Sequence, residues 1–222
     1  AAPPAKDLEW NNQGVEGCSR FLKRVWRIFD DFLNEIKSVG PIPEGYETDS
    51  QELRKLRRLT HLTIRRVTDD IQIRMQFNTA ISAIMELVNH LYVFRDEWVS
   101  LKKDGDEAKA VIRESFDILI LLLYPFAPHI TEEMWSLLGH ETSIVKVAWP
   151  VFNENLTKTD ELLIVIQVNG KVRQRIVVSS NASQEDIKNQ ALHDPKIEEQ
   201  TQGKEIKKVI FIPGKLINIV VK

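Results

Sequence analysis

The residues best placed to do chemistry are cations. Lys171, Arg173 and Arg175 recur at two-residue spacing. In an extended strand that spacing puts all three on one face, and a concentrated positive face attracts phosphate. Lys207, Lys208 and Lys215 fall in a later extended stretch and offer the same chemistry. A second run, Arg54, Lys55, Arg57, Arg58, Arg65, Arg66 and Arg74, lies in a helical pattern; Arg57, Arg58, Arg65 and Arg66 are its candidates for phosphate contact. Exposed arginine faces on helices are usually just solvated. In a chain of net charge −2, so dense a run gives phosphate contact equal standing, because any nucleic-acid contact must come from local clusters.

Other reactive residue types are poorly placed. His129 has no Ser or Cys nucleophile paired with it. Asp69 and Asp70 are adjacent, so on a helix they point in different directions, and no His or Glu cluster joins them to make a metal site. His61 and His90 each stand alone in helical contexts and read as packed or surface residues. Cys18 is the single cysteine; it makes no internal disulfide and no cysteine-rich zinc site, which fits a reducing compartment. No glycine-rich phosphate loop is present. The chain therefore offers no catalytic group and no metal ligand set.

The elements that must position the cations fall into two regions. Up to Phe152 the pattern is helical. Val15, Cys18, Leu22, Val25, Phe29, Phe32 and Ile36 form one apolar stripe. Thr48 with Gln51, or Asp49 with Glu52, offers a capping box for a long helix with Leu53, Leu56, Thr60, Ile64, Val67 and Ile71 on one side. Asn78 is placed to cap the next helix, which carries Ala80, Ile84, Leu87 and Leu91. Lys102-Lys103-Asp104-Gly105 is a turn, and the helix after it runs into LILLLYPFAPHITEEMW, residues 119–135. A helix apolar all round sits inside a bundle. Pro125 stops it, Pro128 keeps the linker out of α geometry, and a new helix starts at Thr131 with Glu132 and Glu133 in its first turn.

From Asn153 the pattern turns extended. Leu162 to Val168 and Lys171 to Val178 flank Asn169-Gly170, the strongest short hairpin signal. Val172, Gln174, Ile176 and Val178 are expected on one face, Lys171, Arg173 and Arg175 on the other. Ser183 with Asp186 and Asp194-Pro195 start two short helices, and Glu205–Ile212 with Leu216–Val221 makes a second strand pair. The expected fold class is α+β: an all-α helical bundle over residues 1–152, then a small α+β domain over 153–222 with a mainly antiparallel sheet. Val151–Thr159 is a possible hinge. No apolar run approaches the ~20 residues of a membrane span, and the first residues lack the basic and apolar regions of a secretory signal.

Several stretches carry a resemblance. LYPFAPHITEEMW is similar to the corner of the helical anticodon-binding domain of class I aminoacyl-tRNA synthetases for leucine, isoleucine, valine and methionine. LEWNNQGVEGCSRFLKRVW, residues 8–26, the hairpin LLIVIQVNGKVRQRIVV and the closing KKVIFIPGKLINIVV resemble bacterial leucyl-tRNA synthetases in particular. The resemblance spans nearly the whole chain and implies the C-terminal part of such an enzyme. It implies tRNA, leucine-accepting, as partner, together with the catalytic and editing domains of the same chain. It implies a cytoplasmic monomer with no membrane contact, whose full-length parent uses ATP and Mg. His-Ile-Gly-His-type and Lys-Met-Ser-Lys-Ser-type signatures are absent, so this stretch alone is expected to be non-catalytic. It would hold the tRNA backbone near the anticodon and D stems and at the elbow. The alternative is a protein–protein interaction module, whose site would show an apolar centre with a polar rim; an RNA site would show cations without that centre.

Overall fold

A computed structural model describes residues 12–43, 46, 48, 50–101, 105–158, 161–179 and 182–222. Contacts divide the chain into two units, Ala1–Thr157 and Lys158–Lys222. The turn expected at Lys102–Asp104 and a cap at Asp49 lie outside the described residues.

The first unit is a bundle of α1 (Asn12–Ile36), α2 (Gln51–Gln72), α3 (Phe77–Leu101), α4 (Asp106–Leu123) and α5 (Pro128–Leu137), followed by a short 3₁₀ turn and α6 (Glu154–Thr157). Its core is built where the stripes meet. Phe116 of α4 lies edge-on to Phe29 of α1, ring centroids 5.9 Å apart, and 5.6 Å from Phe32. The α1 stripe starts later than its sequence suggests: Val15 and Cys18 are exposed, while Phe21 and Ile28 join Val25, Phe29, Phe32 and Ile36 inside. Among the described residues, no helix is long and apolar enough to cross a membrane.

Helix ends depart from expectation at three places. The N-cap of α2 is Ser50, whose Oγ accepts from the Leu53 N–H. Asn78 lies inside α3 and does not cap it; its Oδ1 is buried without a partner. Pro128 is the first residue of α5. A proline costs nothing there, because its missing N–H would be unpaired anyway. Thr131 is fully buried one turn on, and its hydroxyl donates back to the Ala127 carbonyl at 2.9 Å. Gly139, at φ +87°, supplies the left-handed turn that ends this helical pair.

The C-terminus of α1 is held by a buried cation. Arg113 donates to the Ile36 carbonyl at 3.0 Å and to Asp117 at 3.1 Å. Asp117 in turn lies 2.8 Å from Nε2 of His140, whose ring stacks on Trp135. A guanidinium facing the last carbonyls of a helix is favoured by both hydrogen bonding and the helix dipole.

The second unit is a four-stranded sheet in the order β2-β1-β4-β3, built from β1 (Glu161–Val168), β2 (Lys171–Ser179), β3 (Ile206–Ile212) and β4 (Leu216–Val221), with α7 (Gln184–Leu192) and α8 (Pro195–Thr201) between β2 and β3. The two hairpins are antiparallel and join through a parallel β1–β4 pair. Ile164, Ile166, Ile217 and Ile219 face Ile187, Ala191 and Ile197 of the two helices. Asn169 and Gly170 both have positive φ, 50° and 78°, as a type I′ turn requires. The Asn169 side chain then bonds both backbone groups of Val221, and Asn218 Oδ1 accepts from Gly170 N–H. Those side chains lock the hairpin tip to β4.

Candidate nucleic-acid interface

The α2 cations split into two groups. Arg57 faces inward: its Nε donates to Glu114 at 3.1 Å and its Nη1 to the Tyr46 carbonyl at 3.2 Å. It is only 18% exposed, so this candidate for phosphate contact serves the bundle instead. His61 belongs to the same network. Its Nδ1 accepts from the Asn153 N–H at 3.1 Å, so Nε2 carries the proton in the neutral ring and points to Glu114 at 3.5 Å. Burial pushes the Glu114 carboxyl up; His61 and the Arg57 guanidinium pull harder and hold it below the ordinary glutamate value.

A carboxyl held low contributes stability that is fully present above its unfolded pKa and lost as pH falls through its folded one. Glu114→Gln should therefore cost the bundle about 2 kcal/mol at neutral pH, a melting loss of about 4–8 °C. Thermal melts of both proteins at pH 7 and at about pH 3.5, below the ordinary glutamate value, should show the gap narrow in acid. A gap that persists undiminished would assign the loss to shape rather than charge.

Arg65 and Arg66 face a groove between α2 and α3, while Arg58 is half-buried and does not line it. Arg65 and Arg66 line it directly, with Arg74, Asp69, Glu86 and His90, and its volume is about 420 Å³. Arg65 is exposed and also lies over the Phe152 ring, 5.8 Å from its centroid. Arg66 pairs with Glu86 at 2.6 Å, and Arg74 with the buried Asp70 at 3.1 Å. Lys55 and Arg58 act on His90. Sequence reading passed over Lys55 and His90 as members of this site. The available signal was the α3 spacing Ala83, Leu87, His90, which continues the face turned to α2. Arg24 is spent elsewhere: it bonds Asn89 at 2.8 Å and packs on Tyr92, pinning α1 to α3.

In the small unit a bulge rearranges the expected basic face. The ladder pairs Ile166 with Gln174 but Gln167 with Val172, so Arg173 is an extra residue. Strand neighbours share a face. Arg175 opposite Val165 and Val172 opposite Gln167 are on the outer face; Lys171, opposite the buried Val168, falls in the other row at the hairpin tip. Lys171, Arg173 and Arg175 are all exposed, but they do not form one straight row. A second bulge sets Lys207 aside, paired with Glu205 at 2.7 Å. Lys208 lies on the outer face opposite Val220, and Lys215 is in the β3–β4 turn.

The outer face itself is open and apolar. Leu163, Val172, Val177, Ile210 and Ile212 are 38–56% exposed. This is the apolar centre with a charged margin that a protein-docking site would show, whereas the α2–α3 groove is lined by Arg65, Arg66 and Arg74 together with Asp69 and Glu86. Among the described residues no three His, Cys, Asp or Glu side chains come together to hold a metal ion. His129 is exposed, Glu114 is engaged by Arg57 and His61, and His90 sits among the charges of the α2–α3 groove.

Residues 54–189 match the family model "Anticodon-binding domain of tRNA ligase". The chain belongs to this family. The matched stretch runs from the basic part of α2 into α7 and so crosses from the first unit into the second. The chain is 47% identical over its whole length to a leucine–tRNA ligase of Geotalea daltonii and 48% identical to that of Syntrophus aciditrophicus. It spans about a quarter of those relatives, 26% and 25%. It is also similar, with a TM-score of 0.79 and 30% identity, to a chain in a crystal structure of the ternary complex of Agrobacterium radiobacter K84 agnB2 LeuRS-tRNA-LeuAMS; the likeness covers 97% of this chain and 27% of that one.

Proposed function

We propose that this anticodon-binding domain is the tRNA-holding part of a leucine–tRNA ligase. It binds leucine-accepting tRNA through the sugar–phosphate backbone, while catalysis with ATP and Mg and hydrolytic editing belong to other domains of a monomeric, cytoplasmic parent. The observation that carries this reading is that both units together are similar to a synthetase chain named in complex with tRNA. The exposed cations support it. Arg65 and Arg66, with the half-buried Arg58 beside them, offer phosphate contacts along a helical face, and Lys171, Arg173, Arg175, Lys207, Lys208 and Lys215 surround an open sheet. In this reading the small unit takes the tRNA elbow and the bundle the anticodon and D stems.

The exposed Leu163, Val177, Ile210 and Ile212 favour one second reading, a protein docked on the sheet. Hydroxyl-radical footprinting of leucine-accepting tRNA with this chain separates the two. Protection of the D- and T-loop sugars, lost when Leu163 and Val177 are both changed to Asp, is the expected result. A footprint that leaves the elbow fully reactive would remove the sheet from the RNA interface.

A further inference from the structure

The α2–α3 groove contains two carboxylates, Asp69 and Glu86, and an imidazole, His90, where an anion site would hold cations only. Arg66 is paired with Glu86 at 2.6 Å, with the two side chains 45% and 57% exposed. An ion pair that wet is worth little and exchanges readily. One helical turn beyond Glu86 on α3 stands His90, half-buried at the edge of the same groove. Burial and the Lys55 ammonium push its imidazole below the ordinary histidine value; Glu86 pulls it up, and Arg58 pushes it down again. At pH 7 the ring is neutral, in a groove also lined by Arg65, Asp69 and Arg74. The other helices packed on α3 bring charges already engaged: Arg24 of α1 with Asn89, Glu114 of α4 with Arg57, and Arg113 with Asp117.

We propose that this groove binds one RNA phosphodiester together with one proton: the phosphate replaces Glu86 as the acceptor for Arg66, and His90 takes up the proton. The proposal deepens the tRNA-holding reading and rests on it. A phosphate beside His90 adds an opposite charge within a few ångströms, which favours the imidazolium, and it offsets the Lys55 and Arg58 charges that oppose it. The protonated ring then donates a charge-assisted hydrogen bond to the same phosphate. Glu86 keeps the empty groove from presenting its full positive charge, so neutral carboxamide in its place should improve binding.

The sign follows from linkage. A group whose pKa is higher in the complex than in the free protein makes binding tighter as pH falls. The gain begins at the bound-state value and is complete below the free-state value. Each unit between the two values is worth about tenfold in affinity.

The test is fluorescence anisotropy of labelled leucine-accepting tRNA with the 222-residue chain, from about pH 6 to about pH 8 at fixed ionic strength, alongside an NMR titration of the His90 ring in wild-type chain with and without tRNA. Wild-type affinity should fall about three- to tenfold over that range. His90→Gln should lose this dependence and stay at the high-pH affinity. Glu86→Gln should bind more tightly at every pH. The His90 ring should titrate at higher pH with tRNA bound, a readout that needs no variant and that a packing role would not move. Salt-sensitive tRNA binding with an unchanged His90 titration, or with wild-type pH dependence in His90→Gln, would overturn the groove proposal and leave the tRNA-holding reading standing. Absence of tRNA binding at every pH would overturn both.

Discussion

Changing Lys171, Arg173 and Arg175 together to Glu should weaken tRNA binding by roughly 100-fold at low salt and flatten its salt dependence. Each phosphate neutralised contributes about 0.7–0.9 to the slope of log affinity against log salt, so removing three contacts should make the slope shallower by about 2–3. All three side chains are exposed, and β2 is anchored by Ile176 and Val178, which stay in the core. Circular dichroism of the triple variant should therefore match wild type. Because the bulge at Arg173 takes Lys171 out of the row that carries Arg175, the three side chains are expected to reach different phosphates, and their losses should then add. An unchanged slope would mean that the hairpin cations stay solvated in the complex.

The largest loss of stability should come from Phe116→Ala. Phe116 is fully buried and packs against Phe29 and Phe32 of α1. Truncation removes its transfer free energy, leaves a cavity and deletes two aromatic contacts, for a cost of about 4 kcal/mol. In a domain of this size that lowers the melting temperature by about 8–16 °C. The small unit has a core of its own around Ile164, Ile166, Ile217 and Ile219, so the methyl signals of those four isoleucines should keep their native positions while the bundle melts early. A loss under about 1 kcal/mol would show that α1 and α4 repack freely, contrary to the close packing described.

The sequence made the periodic features legible. The stripes of α2 and α4, the Asn169-Gly170 turn, the Ser183 and Asp194 helix starts and the Gly139 stop all depend on residues within one turn or one hairpin. What it hid is non-local. Arg57 meets Glu114 across 57 positions of sequence, and nothing near Arg57 distinguishes it from the exposed Arg65 and Arg66 farther along α2. The bulges at Arg173 and Lys207 depend on how each strand fits its partner, and one extra residue moves side chains between rows. The parallel β1–β4 pair joins the two ends of the small unit and has no local signal. Pro128 was misread because a proline that cannot continue a helix is well suited to begin one.

The central claim is that this chain holds tRNA by its backbone. The most direct measurement is a binding titration of the chain with leucine-accepting tRNA and with a second tRNA at several salt concentrations. The account predicts measurable binding at low salt, weakening with a log–log slope of roughly −4 for ~5 neutralised phosphates, and only a modest preference between the two RNAs. Affinity that is absent at low salt, or present and indifferent to salt, would contradict it.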